Sequence, residues 1–162
     1  MAQPVRKQVW LSEIDPLIRK TVASGGIFRI TVTGTSNQPT LKGGRDEVTL
    51  SRAGETLRRY DLPLYRRDNG QYVLHRIVAV RRDGTYICCG DHQWHPESGI
   101  RRDQIIACVS SICRKGREFP VTARSYRLWV RVWCFLLPLR GFLIRVCHIP
   151  AKLRRLFKRQ SG

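Results

Sequence analysis

Ser36 lies in a short polar segment that follows a run of β-branched residues and is bracketed by Gly34 and Pro39. Gly34 allows backbone conformations that other residues avoid, and Pro39 stiffens the exit from the segment. A serine held in such a turn can be exposed at the end of a strand, where nearby backbone N–H groups could receive an oxyanion. The chemistry that this arrangement allows is nucleophilic attack on a carbonyl carbon, although most turns of this composition only reverse the chain.

His75 interrupts the apolar run of residues 72–80. Strand alternation places Val73, His75 and Ile77 on one face, which predicts that the imidazole is partly buried. A histidine in such a place is more often a hydrogen-bonded structural residue than a base. Its combination with a serine changes this balance, because a hydroxyl is a poor nucleophile until a base takes its proton. An imidazole with the ordinary pKa of about 6.5 can do so at neutral pH.

Three acidic residues follow His75 and could complete the pair: Asp91, Glu97 and, further along, Asp103. A carboxylate bonded to the imidazole would fix its tautomer and stabilise the imidazolium form. Asp91 follows Gly90 and could equally cap a turn. The identity of the third group therefore stays open between Asp91 and Glu97.

The same stretch offers a competing hypothesis, a zinc site built from Cys88, Cys89, His92 and His95. Adjacent residues of a strand face opposite sides, so Cys88 and Cys89 could reach one metal ion only through a bulge. The pattern therefore disfavours a metal site.

The elements that must position these residues can be predicted from periodicity. Apolar residues at helical spacing predict an amphipathic helix over residues 12–23, with Ser12 and Asp15 in the spacing of a capping box. Short β-branched runs separated by turns such as Asp83-Gly84 then predict an antiparallel sheet or partial barrel. The predicted strands are residues 27–32, 48–51, 62–66, 72–80, 85–89 and 105–112.

The charge of the chain is concentrated in its last third. Of the formal net charge of +18, residues 1–113 carry +6 and residues 114–162 carry +12. Such a basic segment favours binding to a polyanion, either an anionic membrane or nucleic acid.

No secretory segment is recognisable at the N-terminus and the cysteines form no recognisable disulfide framework, which predicts a cytoplasmic protein. The cysteines are Cys88, Cys89, Cys108, Cys113, Cys134 and Cys147.

Helical periodicity returns at Arg124 and continues toward the C-terminus. Residues 128–149 are long enough to span a bilayer, but each arginine among them costs on the order of 2.5–3.5 kcal/mol near its centre. Two alternatives remain for this amphipathic segment, the interfacial plane of a membrane or docking on the sheet as part of the core. The residues that raise the question are Trp129, Arg131, Trp133, Phe135, Arg140, Phe142 and Arg145.

Three segments, taken in order, resemble the serine box, the base box and the Gly-Asp box of the signal peptidase I family and of its relatives, the self-cleaving repressors. They are residues 34–41, residues 73–78 and Gly90-Asp91. Histidine in the base box, where many members have lysine, resembles the signal peptidases of the endoplasmic reticulum, archaea and some Gram-positive bacteria. The resemblance covers residues 27–112. Residues 43–48 and Tyr126-Arg127-Leu128-Trp129 further resemble small bacterial peptidases of this clan.

The resemblance implies a β-rich domain that cleaves one peptide bond in a polypeptide, without a metal or an organic cofactor. It assigns Ser36 as nucleophile and His75 as base. It also places Asp91 in the Gly-Asp box and Glu97 where the reticulum-type enzymes have their acidic partner. Thr35, Ser36 and Asn37 correspond to the oxyanion and substrate-pocket positions, with the Ser36 N–H serving the oxyanion.

The expected fold is therefore mainly β, a signal-peptidase-like peptidase domain with a short N-terminal helix and a basic amphipathic helical C-terminal tail. The expected divisions are residues 1–26 for the helix, 27–116 for the peptidase core and 117–162 for the tail. The expected function is a serine endopeptidase acting on a signal, leader or precursor peptide. We expect residues 124–159 to contact an anionic membrane at its inner face in preference to nucleic acid. The alternative is a catalytically inactive relative that binds membrane or nucleic acid.

Overall fold

Antiparallel strands dominate the computed structural model, which describes residues 11–142. The two α-helices of this part are α1 (Leu11–Ala23) and α2 (Arg124–Phe135). Its strands are β1 (Phe28–Thr31), β2 (Glu47–Ser51), β3 (Pro63–Arg66), β4 (Tyr72–Leu74), β5 (Arg76–Val80), β6 (Tyr86–Cys89), β7 (Glu97–Ile100), β8 (Ile105–Arg114) and β9 (Arg117–Pro120). The mainly β character predicted from the sequence is confirmed.

Two sheets are formed by these strands. The larger has the order β1-β2-β8-β3-β4, with β9 also paired to β8, and the smaller has the order β5-β6-β7. The long strand β8 pairs with β2, β3 and β9, and bulges interrupt its register against β2 and β3. Because bulges bend a strand and increase its twist, β8 can serve as the curved spine of the larger sheet.

The predicted strand over residues 72–80 is two strands that belong to different sheets. Leu74 pairs with Leu64 in the larger sheet, whereas Arg76 pairs with Cys89 in the smaller one. His75 occupies the single position between them. The chain changes sheets at this residue, so the imidazole sits at a corner and not within a regular strand.

Helix α1 begins at Leu11, one residue before the predicted start. Ser12 is therefore inside the helix, and the predicted capping box with Asp15 does not form. The Asp15 carboxylate instead accepts hydrogen bonds from the Tyr72 hydroxyl (2.9 Å) and from Arg19 Nε (2.8 Å). These bonds fasten the helix to β4, while Ile18 and Val22 bury its apolar face.

The segment after residue 116 extends the sheet before it becomes helical. Lys115 and Gly116 both have positive φ, as a two-residue primed hairpin turn requires, and the chain returns as β9 along β8. The predicted core boundary at residue 116 and the predicted helical character of residues 117–120 thus differ from the structure. Sequence periodicity missed this strand because it is short and mostly polar.

Helix α2 docks on the sheet with one face, which is one of the two alternatives for this amphipathic segment. Tyr126, Val130 and Cys134 are buried and join the larger core cluster, so one face of the helix docks on the sheet. The opposite face stays exposed, with Leu128 at 65% and Phe135 at 80% exposure. Within residues 11–142, none of the helices combines the length and hydropathy that crossing a membrane requires. The rest of the predicted tail, including Arg145, Cys147 and the segment to residue 159, lies outside the described residues.

Candidate active site

The loop that carries Ser36 is closed at its base by backbone hydrogen bonds. Val32 N–H donates to Asp46 O (3.0 Å), and Gly44 N–H donates to Val32 O (2.8 Å). Gly34 has φ +74°, the left-handed conformation that its residue type makes accessible. The loop can therefore turn sharply directly after β1.

Asp46 organises this loop from a fully buried position, a role that the sequence did not reveal. Its carboxylate accepts hydrogen bonds from Lys42 N–H (3.0 Å), Arg45 Nε (2.6 Å) and Arg114 Nε (3.3 Å). Burial opposes ionisation, but these donors together hold the pKa of Asp46 below its ordinary value. In the sequence, Asp46 is an acidic residue in a polar turn. Without the fold, a buried carboxylate in such a turn cannot be distinguished from one that is exposed to solvent.

Two hydrogen bonds attach the Ser36 turn to other segments of the site, one to His92 and one to Leu74. Ser36 is half-buried, and its carbonyl oxygen accepts a hydrogen bond from His92 N–H (2.7 Å). Asn37 is buried, and its Nδ2 donates to Leu74 O (2.6 Å). The structure thereby brings together the three segments that resemble the boxes of the signal peptidase family.

Gly90 is the point at which these segments approach most closely. A Cβ atom added there would lie 2.6 Å from Ser36 O and 3.0 Å from His75 Nε2. Real Cβ atoms do not approach a backbone oxygen so closely, so only glycine fits between the serine turn and the imidazole. Glycine before Asp91 thus has a steric purpose at this site.

His75 is almost fully buried, and its ring meets the ring of Tyr65 edge to face with 6.5 Å between centroids. Burial is the main reason that the pKa of His75 falls from 6.5 to about 4, and the Arg67 charge lowers it further. Glu97 and Asp91 raise it by a smaller amount. The imidazole is therefore neutral at physiological pH, the form that can accept a proton.

Two buried side-chain polar atoms lack a hydrogen-bond partner within residues 11–142, and both belong to this site. They are His75 Nδ1 and Asn37 Oδ1. Buried polar groups are nearly always bonded, because an unmet donor or acceptor costs about 1–3 kcal/mol of desolvation. Groups of this kind occur at binding and catalytic sites, and also where a buried water molecule supplies the partner.

Neither predicted carboxylate forms a hydrogen bond with His75. The Asp91 carboxylate accepts two from Arg76, at 3.0 and 2.7 Å, and this pair is completely buried. Glu97 accepts hydrogen bonds from Arg67 and from the Tyr65 hydroxyl (3.0 Å). Burial opposes the ionisation of Glu97, yet these donors lower its pKa. Each carboxylate is thus held by an arginine, which is a stronger partner than a neutral imidazole.

Asp103, the more distant candidate, lies on the surface and pairs with Arg101. Its side chain is 71% exposed, and its hydrogen bonds within the described residues go to that arginine. The structure therefore does not bring Asp103 to the imidazole.

The backbone oxygen of Ser36 and Nε2 of His75 both lie next to Gly90, and the hydrogen bonds of the described residues include none between the Ser36 hydroxyl and the imidazole. Such contacts are often long in enzymes without substrate and tighten on binding. The N–H groups of Ser36 and Asn37 donate no hydrogen bond within residues 11–142, and Thr35 is exposed. The turn thus presents backbone donors next to the serine.

Two residues of the C-terminal segment hold the turn of residues 90–93, and sequence reasoning missed both. Trp133 Nε1 donates to Asp91 O (2.9 Å). The fully buried Arg140 donates to Gly90 O (3.3 Å) and Trp133 O (2.8 Å), and its guanidinium lies 5.1 Å from the Trp133 ring centroid. The sequence signal is an arginine within an apolar run, which from the sequence alone counts only as a cost of membrane insertion.

A groove of about 250 Å³ adjoins the site. Arg67 and Glu97, whose charges act on His75, form part of its wall together with Gln93, Trp94 and His95. The groove is open to solvent at the exposed Trp94.

The cysteines of the alternative zinc hypothesis face different ways. Cys88 packs in the core cluster beside the smaller sheet, whereas Cys89 packs in the larger cluster. Burial raises the pKa of Cys89 to about 11 and that of Cys88 to about 12, so both are neutral thiols. No group of three or more metal-ligating side chains converges anywhere in residues 11–142.

Comparisons of the chain with protein-family models, with curated proteins and with solved structures found no match.

Proposed function

We propose that this chain is a serine endopeptidase in which Ser36 is the nucleophile and His75 the general base. The substrate is a polypeptide, of the kind represented by signal, leader or precursor peptides. The observation that carries the proposal is the convergence of three segments on Gly90, where only glycine fits between the half-buried Ser36 turn and Nε2 of the buried His75.

The neutral imidazole accepts the Ser36 hydroxyl proton as Oγ attacks the carbonyl carbon of the scissile bond. The resulting oxyanion is met by the Ser36 N–H, which has no competing acceptor within the described residues. The imidazolium then gives its proton to the leaving amine. A water molecule, deprotonated by His75 in the same way, releases the acyl group and restores the serine.

Asp91 and Glu97 act on this pair through the electric field and not through a hydrogen bond. Both carboxylates favour the imidazolium that forms in the transition state, in opposition to burial and to Arg67. The active pair is thus a dyad supported by two arginine-bound carboxylates. Asp91 additionally holds β5, the strand that begins directly after His75, through Arg76. It is therefore a positioning residue.

Covalent labelling of Ser36 tests this proposal. A serine-directed fluorophosphonate is expected to add one phosphonyl group to the wild-type protein, with the modified peptide containing Ser36. Ser36→Ala should remain unmodified and folded, because its hydrogen bond from His92 uses the backbone carbonyl. Ser98→Ala, at an exposed serine of β7, is the matched control and should be labelled like the wild type. A folded wild type without label at Ser36 would favour the catalytically inactive alternative.

The exposed side of α2 supports a peripheral contact with an anionic membrane. We define the outer face of α2 as Leu128, Val132 and Phe135, which are at least 48% exposed, and the neighbouring arginines lie on the same helix. Apolar side chains beside arginines suit the boundary between headgroups and acyl chains. Nucleic acid offers no apolar phase for them. The proposed location is accordingly the inner face of the membrane.

Replacement of two residues of the outer face is expected to weaken this contact. Leu128→Ser with Phe135→Ser should reduce flotation with vesicles containing phosphatidylglycerol by at least about tenfold, since burying each side chain contributes on the order of 1.5–3 kcal/mol. The control is Ile27→Ser with Val80→Ser, at exposed apolar positions outside α2. Equal flotation of both double variants would contradict the assignment. Point changes are needed because truncation after Gly116 would remove Tyr126 and Val130 from the core.

A further inference from the structure

A second concave site lies beside α2 and shares no lining residue with the groove beside His75. It is a cleft of about 260 Å³ between the turn of residues 58–61 and the helix. We call it the arginine cleft, because Arg58 and Arg59 of the turn and Arg127 and Arg131 of the helix line it. Buried Leu62, Tyr126 and Val130 also line it.

The charge of the cleft is unbalanced within the described part of the chain. None of its four arginines forms an ion pair there, whereas Arg67, Arg76 and Arg101 each hold a carboxylate elsewhere. Asp61 is the acidic residue of the lining, and its carboxylate accepts a hydrogen bond from Arg58 N–H (2.8 Å). Four guanidinium groups around one concave surface create a positive potential that attracts an anion.

The turn that carries Arg58 and Arg59 is held in place. Tyr60 has φ +84°, a conformation that non-glycine residues adopt only where the surroundings impose it. Its N–H donates to Ile77 O (2.8 Å), and its carbonyl accepts from Arg76 (3.1 Å). The Arg59 guanidinium lies 5.0 Å from the centroid of the Tyr60 ring. The arginines are therefore presented by a fixed turn on one wall and by a docked helix on the other.

We propose that the arginine cleft binds a phosphate group that carries two negative charges. Guanidinium groups match the oxygens of phosphate with paired hydrogen bonds, and the fixed backbone on both walls of the cleft lowers the entropy lost on binding. The volume suits a phosphate or pyrophosphate group more than a large ligand, since pockets for drug-sized molecules measure about 300–1,000 Å³. The source is either a free phosphate compound or a lipid headgroup.

Pyrophosphate titration of the full chain tests the site, with binding followed by calorimetry in about 0.15 M salt. Arg127→Gln with Arg131→Gln should weaken pyrophosphate binding by at least about tenfold, the effect of losing one charge-assisted contact. These two side chains are exposed, so the helix should remain docked. Arg81→Gln with Arg82→Gln removes the same charge at exposed positions outside the cleft and should change the affinity by less than about twofold.

Vesicles distinguish the two sources of the phosphate. If the ligand is a lipid headgroup, vesicles with phosphatidic acid should bind more tightly than phosphatidylglycerol vesicles of equal charge, and pyrophosphate should compete. If the ligand is a free compound, pyrophosphate should bind without affecting either kind of vesicle. An equal loss of pyrophosphate binding in both double-arginine variants, or no binding to the wild type at millimolar concentration, would overturn the proposal. Because neither readout involves proteolysis, the result is independent of Ser36 and His75.

Discussion

Replacing His75 with alanine is expected to lower the rate of Ser36 phosphonylation by about 10²- to 10⁴-fold, the usual contribution of a positioned general base. The loss follows because the proposed dyad then lacks the group that takes the Ser36 proton. The wild-type rate should be nearly constant from pH 5 to 9. Burial lowers the pKa of His75 to about 4, so the imidazole remains an unprotonated base over this range. Below about pH 4 the base becomes protonated and the rate should fall.

Two controls make this result specific to His75. His95→Ala removes an exposed imidazole on the neighbouring groove wall and should leave most of the labelling rate intact. Added imidazole should partly restore the rate of His75→Ala, since a small base can enter the space left by the side chain. A wild-type rate that rises through pH 6.5 would show an imidazole in contact with water, contrary to its burial in this structure.

The sequence was sufficient to single out Ser36 and His75, whose segments the structure brings together, because the signal of each residue was local. Their roles as nucleophile and base stay predictions. A serine in a turn after a strand and a histidine in an apolar run are both visible in short windows, and the order of three segments connected them. The helix over residues 12–23 and most strands were visible for the same reason, since periodicity is a local property. The opposite orientation predicted for Cys88 and Cys89 is likewise found, one in each core cluster.

The partners of the carboxylates could not be predicted, because they depend on contacts between distant parts of the chain. Asp91 and Glu97 were candidates for His75, but Arg76 and Arg67 bind them instead. Arg140, in a segment that appeared to be an appendage, lies against the turn of residue 90. The sequence does not show whether an arginine is exposed to solvent, buried or paired with a carboxylate, so only the fold distinguishes these cases.

Replacing Asp91 with alanine is expected to lower the free energy of unfolding by about 3–5 kcal/mol, the usual cost of breaking a buried ion pair on one side. The reason is that Arg76 would keep its charge without a carboxylate, at a side chain that is only 1% exposed. The Tyr126 hydroxyl and Tyr60 carbonyl would remain as its hydrogen-bond partners, and neither carries a charge. Urea unfolding followed by fluorescence measures the change.

The matched control is Asp103→Ala, which removes a carboxylate from an exposed pair and should change the free energy of unfolding by less than about 1 kcal/mol. The double variant Arg76→Met with Asp91→Leu should be more stable than Asp91→Ala, because an apolar pair leaves no buried charge. If this double variant also retains phosphonylation of Ser36, Asp91 serves the site by holding β5 in place. If the double variant is as unstable as Asp91→Ala, the unpaired charge is not the source of the loss, and the turn of residues 90–93 requires the carboxylate itself.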